Sequence, residues 1–207
     1  NARTTFGAIF LAEHMCTRKK DEGGASREGD VAALTGMDVG TGWRQLVPTQ
    51  DKSTDEAYLA VKYIAGDETV GRFYTDGSKE LRKAAKQLKW VHETSTPYRH
   101  TSNPIMEGMN RILLEATCAG LEGSGFDHDW WNVAGEYASF ALNITEELRG
   151  KTPYENRFGE PFGGVIAPLG MAIEFLPPAP LDGQLRRWTL YPSDAADDPT
   201  PPALATP

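Results

Sequence analysis

The chain has 207 residues, of which 40% are hydrophobic, and its formal net charge is −8. This length suits one domain of ordinary size with an extension, and the acidic balance excludes a globally basic surface of the kind that binds nucleic-acid phosphates. No run approaches the roughly 20 apolar residues that span a bilayer, and the N-terminus lacks the pattern of a secretory signal. We therefore expect a soluble, intracellular protein.

Two cysteines, Cys16 and Cys118, are too few for a disulfide scaffold, and neither has a CxxC partner. Buried thiols are a commoner outcome for such residues than a disulfide or a zinc site. We expect both thiols to be buried.

Three strands are predicted at the start of the chain. The apolar run "TTFGAIFLAEHMC" has the length of a buried strand, and the charged "TRKKDEGGASREGD" with its Gly-Gly pair predicts a long exposed hairpin loop. "VAALTGMDV" and "GWRQLVPT" then predict two further strands, joined at Gly40-Thr41-Gly42.

Strands and helices alternate in the next part of the chain. "STDEAYLAVKYIAGDE" has a Ser or Thr cap, acids in its first turn and a terminating Gly66, which together predict a helix. "VGRFYTDG" predicts a strand, "SKELRKAAKQLKW" a basic helix and "WVHET" a short strand. This order predicts an α/β fold in which a mixed sheet has helices on its faces.

Two helices are predicted to close the domain. The first runs from about Pro104 to Gly120 with apolar residues at three-to-four spacing, and the second covers "HDWWNVAGEYASFALNITEELRG". In the second helix, Trp130 and Trp131 are expected to anchor the core rather than to stack on bases.

The composition changes after position 150. "KTPYENRFGEPFGGVIAPLGMAIEFLPPAP" is rich in Pro and Gly and predicts small strands or an extended arm. The acidic, Pro-rich "SDAADDPTPPALATP" predicts a tail that is extended or ordered only on a partner. We therefore expect a domain over residues 1–150 and a Pro/Gly-rich C-terminal extension over residues 151–207.

Two carboxylates stand at positions that suit chemistry. Asp76 follows a predicted strand just before a glycine turn, where α/β folds place reactive groups. Glu107 opens the helix near Pro104, where an acid also stabilises the helix dipole without any other role. Converging carboxylates bind hard cations such as Mg²⁺, and two such ions about 3.5–4 Å apart activate water in phosphodiester cleavage. A third acid is then wanted on the first strand, where Glu13 is available.

Four segments carry a family pattern. They are "FYTDGSKEL", "STPYRHTSNPIMEGMNRILLEA", "DWWNVAGEYASFALN" and "GKTPYENRFGEPF". Together they resemble the integrase core of retroviruses and above all of Copia-type retrotransposons, over roughly residues 5 to 176. The resemblance implies a ribonuclease-H-like fold with a five-stranded mixed sheet flanked by helices. It also implies a triad of two Asp and one Glu that binds two Mg²⁺ or Mn²⁺ ions for 3′-processing and strand transfer of DNA.

By this resemblance, Asp76 matches the second acid of the triad and Glu107 the third. The first acid falls at Glu13 or, as the alternative, at Ala8. Glu13 keeps the charge of an aspartate but moves the carboxylate by one methylene, whereas active sites need placement within about 0.5 Å. Asp38 matches an acid on the paired strand that the family does not use in catalysis. We therefore expect impaired catalysis.

The first hypothesis for function is a metal-dependent polynucleotidyl transferase that acts on DNA, nuclear if it is a working integrase. Glu13, Asp76 and Glu107 would be the catalytic residues and the metal ligands. The candidate phosphate contacts are Lys79, Lys83, Lys86, Arg99 and Arg111. A solvated helix face is the alternative meaning of the lysines, and an ion pair with Glu107 is the alternative role of Arg111.

The second hypothesis is an integrase-derived module without catalysis. Such a module would bind protein partners through the C-terminal arm, as an oligomer or as a subunit of a larger complex. A nucleic-acid binder without turnover is a third, weaker hypothesis.

Overall fold

The computed structural model of the protein describes residues 5–16, 24–94, 104–148, 150–175 and 186–189. One sheet contains β1 (Phe10–Cys16), β2 (Ala32–Asp38), β3 (Arg44–Thr49), β4 (Phe73–Thr75) and β5 (His92–Thr94). The helices are α1 (Thr54–Ala65), α2 (Lys79–Leu88), α3 (Pro104–Ser124), a 3₁₀ turn (His128–Trp130), α4 (Trp131–Thr145) and α5 (Pro153–Phe158). A second sheet pairs β6 (Ala172–Phe175) with β7 (Arg186–Thr189).

The larger sheet is mixed, with the strand order β3-β2-β1-β4-β5. Strand β1 is antiparallel to β2 and parallel to β4, and β4 is in turn parallel to β5. The predicted five-stranded mixed sheet with flanking helices is therefore confirmed.

Strand β1 is covered on both faces, because successive side chains of a strand point to opposite sides. Phe10 and Ala12 belong to one core cluster, which includes buried side chains of α1 and α2. Leu11 belongs to the other cluster, which includes Met106 and Leu113 of α3. This double burial explains why the first strand is a nearly continuous apolar run.

The Ser or Thr cap predicted for α1 forms in the structure, and α2 is capped in the same way. Ser53 caps α1 by accepting a hydrogen bond from the backbone N–H of Glu56, and Gly66 ends the helix with a φ of 65°. Ser78 caps α2 by accepting from the N–H of Leu81. Both predicted helices are confirmed.

The two later helices differ in length from their predictions. Helix α3 continues past Gly120 to Ser124, and α4 ends at Thr145 because Glu146 turns to extended backbone with a ψ of 134°. Trp130 is buried, and Trp131 packs against the core cluster of α3, so both act as core side chains. None of the helices in the described part of the chain is long and apolar enough to cross a membrane.

The thiol of Cys118 is exposed, so its predicted burial is wrong. The buried residues of α3 after Met109 are Leu113, Thr117 and Leu121, at steps of four. Cys118 directly follows Thr117 and therefore falls on the outer side of the helix. The side chain of Cys16 lies outside what the structure describes.

A short helix, α5, forms where small strands or an extended arm are predicted, and for residues 153–158 that prediction is wrong. Thr152 accepts a hydrogen bond from the N–H of Glu155, Pro153 occupies the first turn, and Gly159 ends the helix with a φ of 84°. Proline and glycine thus mark the two ends of a helix here rather than the breaks between strands.

Arg157 of α5 is held between aromatic rings. Its guanidinium lies 3.9 Å from the ring centre of Phe6 and 4.6 Å from that of Trp43, and its Nη2 donates to the carbonyl of Ala65 at 3.3 Å. Burial lowers the pKa of Arg157, which the nearby acids Glu68 and Asp38 oppose. The side chain ties α5 to the segment before β1 and to the end of α1.

The chain forms two compact units, one that reaches Val165 and one that begins at Ile166. In the second unit, the antiparallel hairpin of β6 and β7 pairs Ala172 with Thr189. The predicted division into residues 1–150 and 151–207 stays a prediction. Residues 193–207, for which we predict an extended tail, and residues 17–23 of the predicted hairpin loop lie outside the described residues.

Gly135→Ala should lower the free energy of unfolding by about 1–2 kcal/mol, because overpacking in a tight core costs about 1–3 kcal/mol. A Cβ at this position of α4 would lie 2.9 Å from Cδ2 of the buried Leu46. Gly123→Ala in α3 is the matched control, since nothing lies within 4 Å of its added Cβ and the change should stabilise by up to about 1 kcal/mol. Urea denaturation measures both. Equal effects at the two positions would contradict the close packing of α4 on β3.

Candidate functional site

The pairing of β1 with β4 places Glu13 beside Asp76. The last paired residues of the two strands are Ala12 and Thr75, so Glu13 and Asp76 are the next residues on parallel neighbours. Alternation of side chains directs both carboxylates to the face on which Leu11 packs against α3.

Helix α3 brings Glu107 to the same end of the sheet. Asn110, which follows Glu107 by three residues, donates from its Nδ2 to Oε2 of Glu13 at 3.1 Å. Residues three apart lie on the same side of a helix, so Glu107 lies one helical turn before Asn110, the residue that contacts Glu13. The buried Met106 and Met109 hold this part of α3 on the sheet. Glu13, Asp76 and Glu107 therefore share one rim, which we call the carboxylate rim.

Asn110 is itself oriented by Thr35. The hydroxyl of Thr35 donates to Oδ1 of Asn110 at 2.7 Å and also lies 3.2 Å from the carbonyl oxygen of Glu13. Thr35 is the β2 residue paired with Glu13 in the sheet. Because the amide oxygen accepts from Thr35, the amide nitrogen faces the Glu13 carboxylate. Neither Thr35 nor Asn110 is among the site residues predicted from the sequence.

Burial and the neighbouring acids of the carboxylate rim raise the pKa of Glu13. Burial of the half-buried carboxyl is the largest cause, followed by the negative charges of Asp76 and Glu107. The hydrogen bond from Asn110 and the positive charge of Lys52 act in the opposite direction. The three carboxylates thus repel one another when all are ionised.

The donor atoms of the rim suit a hard divalent cation such as Mg²⁺ or Mn²⁺, but their present spacing does not form a site. Within the ranges that the structure describes, no three His, Cys, Asp or Glu side chains are placed to hold one metal ion. Asp76 and Glu107 are exposed, and Oδ1 of Asp76 accepts from the N–H of Ser78 at 3.0 Å. Both exposed carboxylates would have to turn toward Glu13 to share an ion.

Asp38 lies at the other end of β1, opposite Phe10, and is fully buried. Its carboxylate accepts from the N–H of Gly7 and from both the N–H and the hydroxyl of Thr41, each at 2.8 Å. These bonds fasten the segment before β1 to the turn between β2 and β3. Asp38 is therefore a structural acid.

Ala8, the alternative position for the first acid, precedes β1. The N–H of Gly71, before β4, bonds to the carbonyl of Gly7, so Ala8 lies at the end of the strand pair away from Asp76. Of the two candidate positions, only that of Glu13 lies at the rim.

The predicted phosphate contacts are distributed over two helices. Lys79, Lys83 and Lys86 are exposed on α2, and Arg111 is exposed on α3. Among the described residues, no ion pair joins Arg111 to Glu107. Arg99 lies outside the described residues.

Solved structures of retroviral integrases resemble this chain. The catalytic core domain of BIV integrase matches it with a TM-score of 0.53 and 17% identity, over 72% of this chain and 92% of that one. A chain of the simian T-cell lymphotropic virus intasome in complex with PP2A regulatory subunit B56 gamma matches with a TM-score of 0.61 and 18% identity, over 88% of this chain and 68% of that one. No family model and no curated protein sequence matches the chain. The chain has the ribonuclease-H-like fold of retroviral integrase cores.

Asp38→Ala should lower the free energy of unfolding by on the order of 3 kcal/mol, because it leaves the buried N–H groups of Gly7 and Thr41 without their acceptor. Asp76→Asn removes an exposed charge and should change stability by less than about 0.5 kcal/mol. Chemical denaturation compares the two variants. If Asp76→Asn lowered the free energy of unfolding as much as Asp38→Ala does, Asp76 would be a structural acid like Asp38, and the distinction between structural and rim acids would be wrong.

Glu13→Gln should stabilise the protein at neutral pH when EDTA is present. A carboxyl whose folded pKa is raised supplies stability below its ordinary value of 4.5 and loses it as the pH rises through the folded pKa. Glutamine stays neutral, so the advantage of the variant should be near zero at about pH 4 and grow toward pH 7.

Denaturation midpoints across this pH range measure the difference. Glu122→Gln, at an exposed position of α3, controls for the change in net charge. A pH-independent difference at Glu13 would show that neither burial nor the neighbouring charges raise the pKa of its carboxyl.

Proposed function

We propose that this chain is an integrase core of retrotransposon origin, that its carboxylate rim is the site of metal-dependent DNA strand transfer, and that Glu13 impairs this chemistry. The observation that carries the proposal is the hydrogen bond between Asn110 and Glu13, with 3.1 Å between nitrogen and oxygen. It joins the helix of Glu107 to β1 at the point where Asp76 follows the neighbouring strand. Three acids distant in sequence thus lie near one edge of the sheet, where the charges of Asp76 and Glu107 act on Glu13.

The structural neighbours support DNA as the substrate class. One is an integrase catalytic core domain and the other is a chain of an intasome. Strand transfer exchanges one phosphodiester bond for another, so negative charge has to be stabilised on the attacking and leaving oxygens. Mg²⁺ or Mn²⁺ is the cofactor that fits oxygen donors of this kind, and a working enzyme of this type would act in the nucleus.

The extra methylene of Glu13 supports impairment. Relative to aspartate, it moves the carboxylate by about 1.5 Å, three times the tolerance of about 0.5 Å that active sites allow. In this position the carboxylate meets the amide of Asn110, which Thr35 holds in place. One oxygen of the carboxylate is thereby engaged by a side chain of α3, the helix that also carries Glu107.

A module without catalysis is the second candidate. It is favoured by the apolar side chains exposed on α1. Leu59 and Tyr63, one turn apart, are 59% and 64% exposed. Exposed apolar residues of this kind suit a protein partner or a second copy of the chain. Of the C-terminal extension that the sequence assigns to such partners, the structure describes residues 151–175 and 186–189.

Glu13→Asp should raise strand-transfer activity at least tenfold over the native chain in Mn²⁺, because the shorter side chain withdraws from Asn110 and faces the other two acids. An assay with a labelled oligonucleotide duplex and a plasmid target measures the joined product. The double variant Glu13→Asp/Glu107→Gln is the control, and it should return to the background level.

Calorimetry with Mg²⁺ alone provides an independent test. The Glu13→Asp variant should bind the ion at millimolar concentration, and Glu107→Gln should weaken that binding. If the Glu13→Asp variant neither binds the ion nor joins DNA, the enzymatic proposal fails and the module without catalysis replaces it.

A further inference from the structure

We infer that the outer face of α2, together with Lys52, binds the phosphate backbone of duplex DNA. The choice of DNA rests on the proposed function, and the surface itself rests on the arrangement of charges described next. We call these residues the basic face, and they are Lys52, Lys79, Arg82, Lys83, Lys86 and Lys89.

Helix α2 divides sharply into two sides. Leu81, Ala84 and Ala85 are buried in the core cluster that it shares with α1. The cations of α2 and of its C-cap residue Lys89 recur every one to three residues, fall on one side of the helix and are all exposed. The amphipathic pattern therefore places these positive charges along one solvent-facing stripe.

The cations of this stripe have no ion-pair partners among the described residues, and neither does Lys52, although Arg72 pairs with Glu93 at 3.2 Å and Lys151 with Glu155 at 3.3 Å. The protein has 29 acidic residues against 21 Lys and Arg, so acids are plentiful elsewhere. A basic stripe of this kind on an acidic protein fits a polyanionic partner.

An open cleft of about 550 Å³ lies between α2 and the start of α1. Lys83 and Lys86 line it together with Thr54, Asp55 and Gln87. Two ammonium groups, an amide and a hydroxyl can all donate to phosphate oxygens, and Asp55 is the one acid among the lining residues. A backbone phosphate that enters the cleft would meet both lysines.

The basic face begins near the carboxylate rim. Helix α2 begins three residues after Asp76, and Nη2 of Arg82 donates to the carbonyl of Gly77 at 3.2 Å. Lys52, two residues before α1, lies close enough for its charge to act on the carboxyl of Glu13. A duplex bound at Lys52 and the first turn of α2 would therefore lie near the end of the sheet that carries the rim.

The test compares two double variants that remove the same charge. Lys83→Gln/Lys86→Gln changes the cleft, whereas Arg72→Gln/Lys151→Gln removes two cations that are already ion-paired elsewhere. Both lower the net charge by two. Fluorescence anisotropy with a labelled DNA duplex, in EDTA and at increasing NaCl concentration, measures the dissociation constant of each protein.

We expect the cleft variant to bind roughly tenfold more weakly at low salt, with a slope of log K against log salt that is smaller by about 2. The control variant should keep the native slope. Equal slopes in all three proteins, or no salt-dependent binding by the native chain, would overturn the inference. Loss of binding to phosphatidylserine vesicles with unchanged DNA binding would overturn it in favour of a membrane surface.

This result is separable from the proposed function. DNA binding is measured without a divalent cation and without turnover, so an inactive carboxylate rim leaves it unchanged. Conversely, if Glu13→Asp gains strand-transfer activity while the cleft variant binds DNA as the native chain does, only the basic face is excluded.

Discussion

Strand β1 is hydrogen-bonded on both sides, to antiparallel β2 and to parallel β4. Because β1 also has helices packed on both faces, its register cannot slip by one residue without exchanging the buried residues of the two core clusters. This register sets Glu13 level with Asp76 and opposite Thr35. The geometry of the carboxylate rim is thus maintained by the same apolar contacts that stabilise the sheet.

The acids of this protein differ in role because their surroundings differ. Asp38 is fully buried and its carboxylate is saturated by donors from the backbone and from Thr41. Glu13 is half-buried and meets two other negative charges, which raise its pKa. The hydrogen bonds to Asp38 stabilise the fold, whereas burial of Glu13 beside two other acids destabilises it. Perturbed pKa values of this kind are frequent at functional sites.

Much of the fold could be predicted from sequence, because strand runs and helix caps are local patterns, whereas the assignment of Glu13, Asp76 and Glu107 as site residues stays a prediction that rests on the family resemblance. The partners of Glu13 could not be predicted, since Thr35 and Asn110 are ordinary residues whose importance arises from register and helix packing. The three-residue step from Glu107 to Asn110 is the one signal that could have indicated its role. The exposure of Cys118 likewise depends on the exact side of α3 that the sheet selects.

The contact of the Arg157 guanidinium with the rings of Phe6 and Trp43 has a practical consequence for recombinant expression of this core. A shortened version ending at residue 150, where composition changes, would delete the guanidinium and uncover an indole and a phenyl ring. Aromatic surface that becomes exposed to solvent promotes self-association. Fragments intended for crystallisation or NMR should accordingly extend through α5, so that the guanidinium of Arg157 still covers the rings of Phe6 and Trp43.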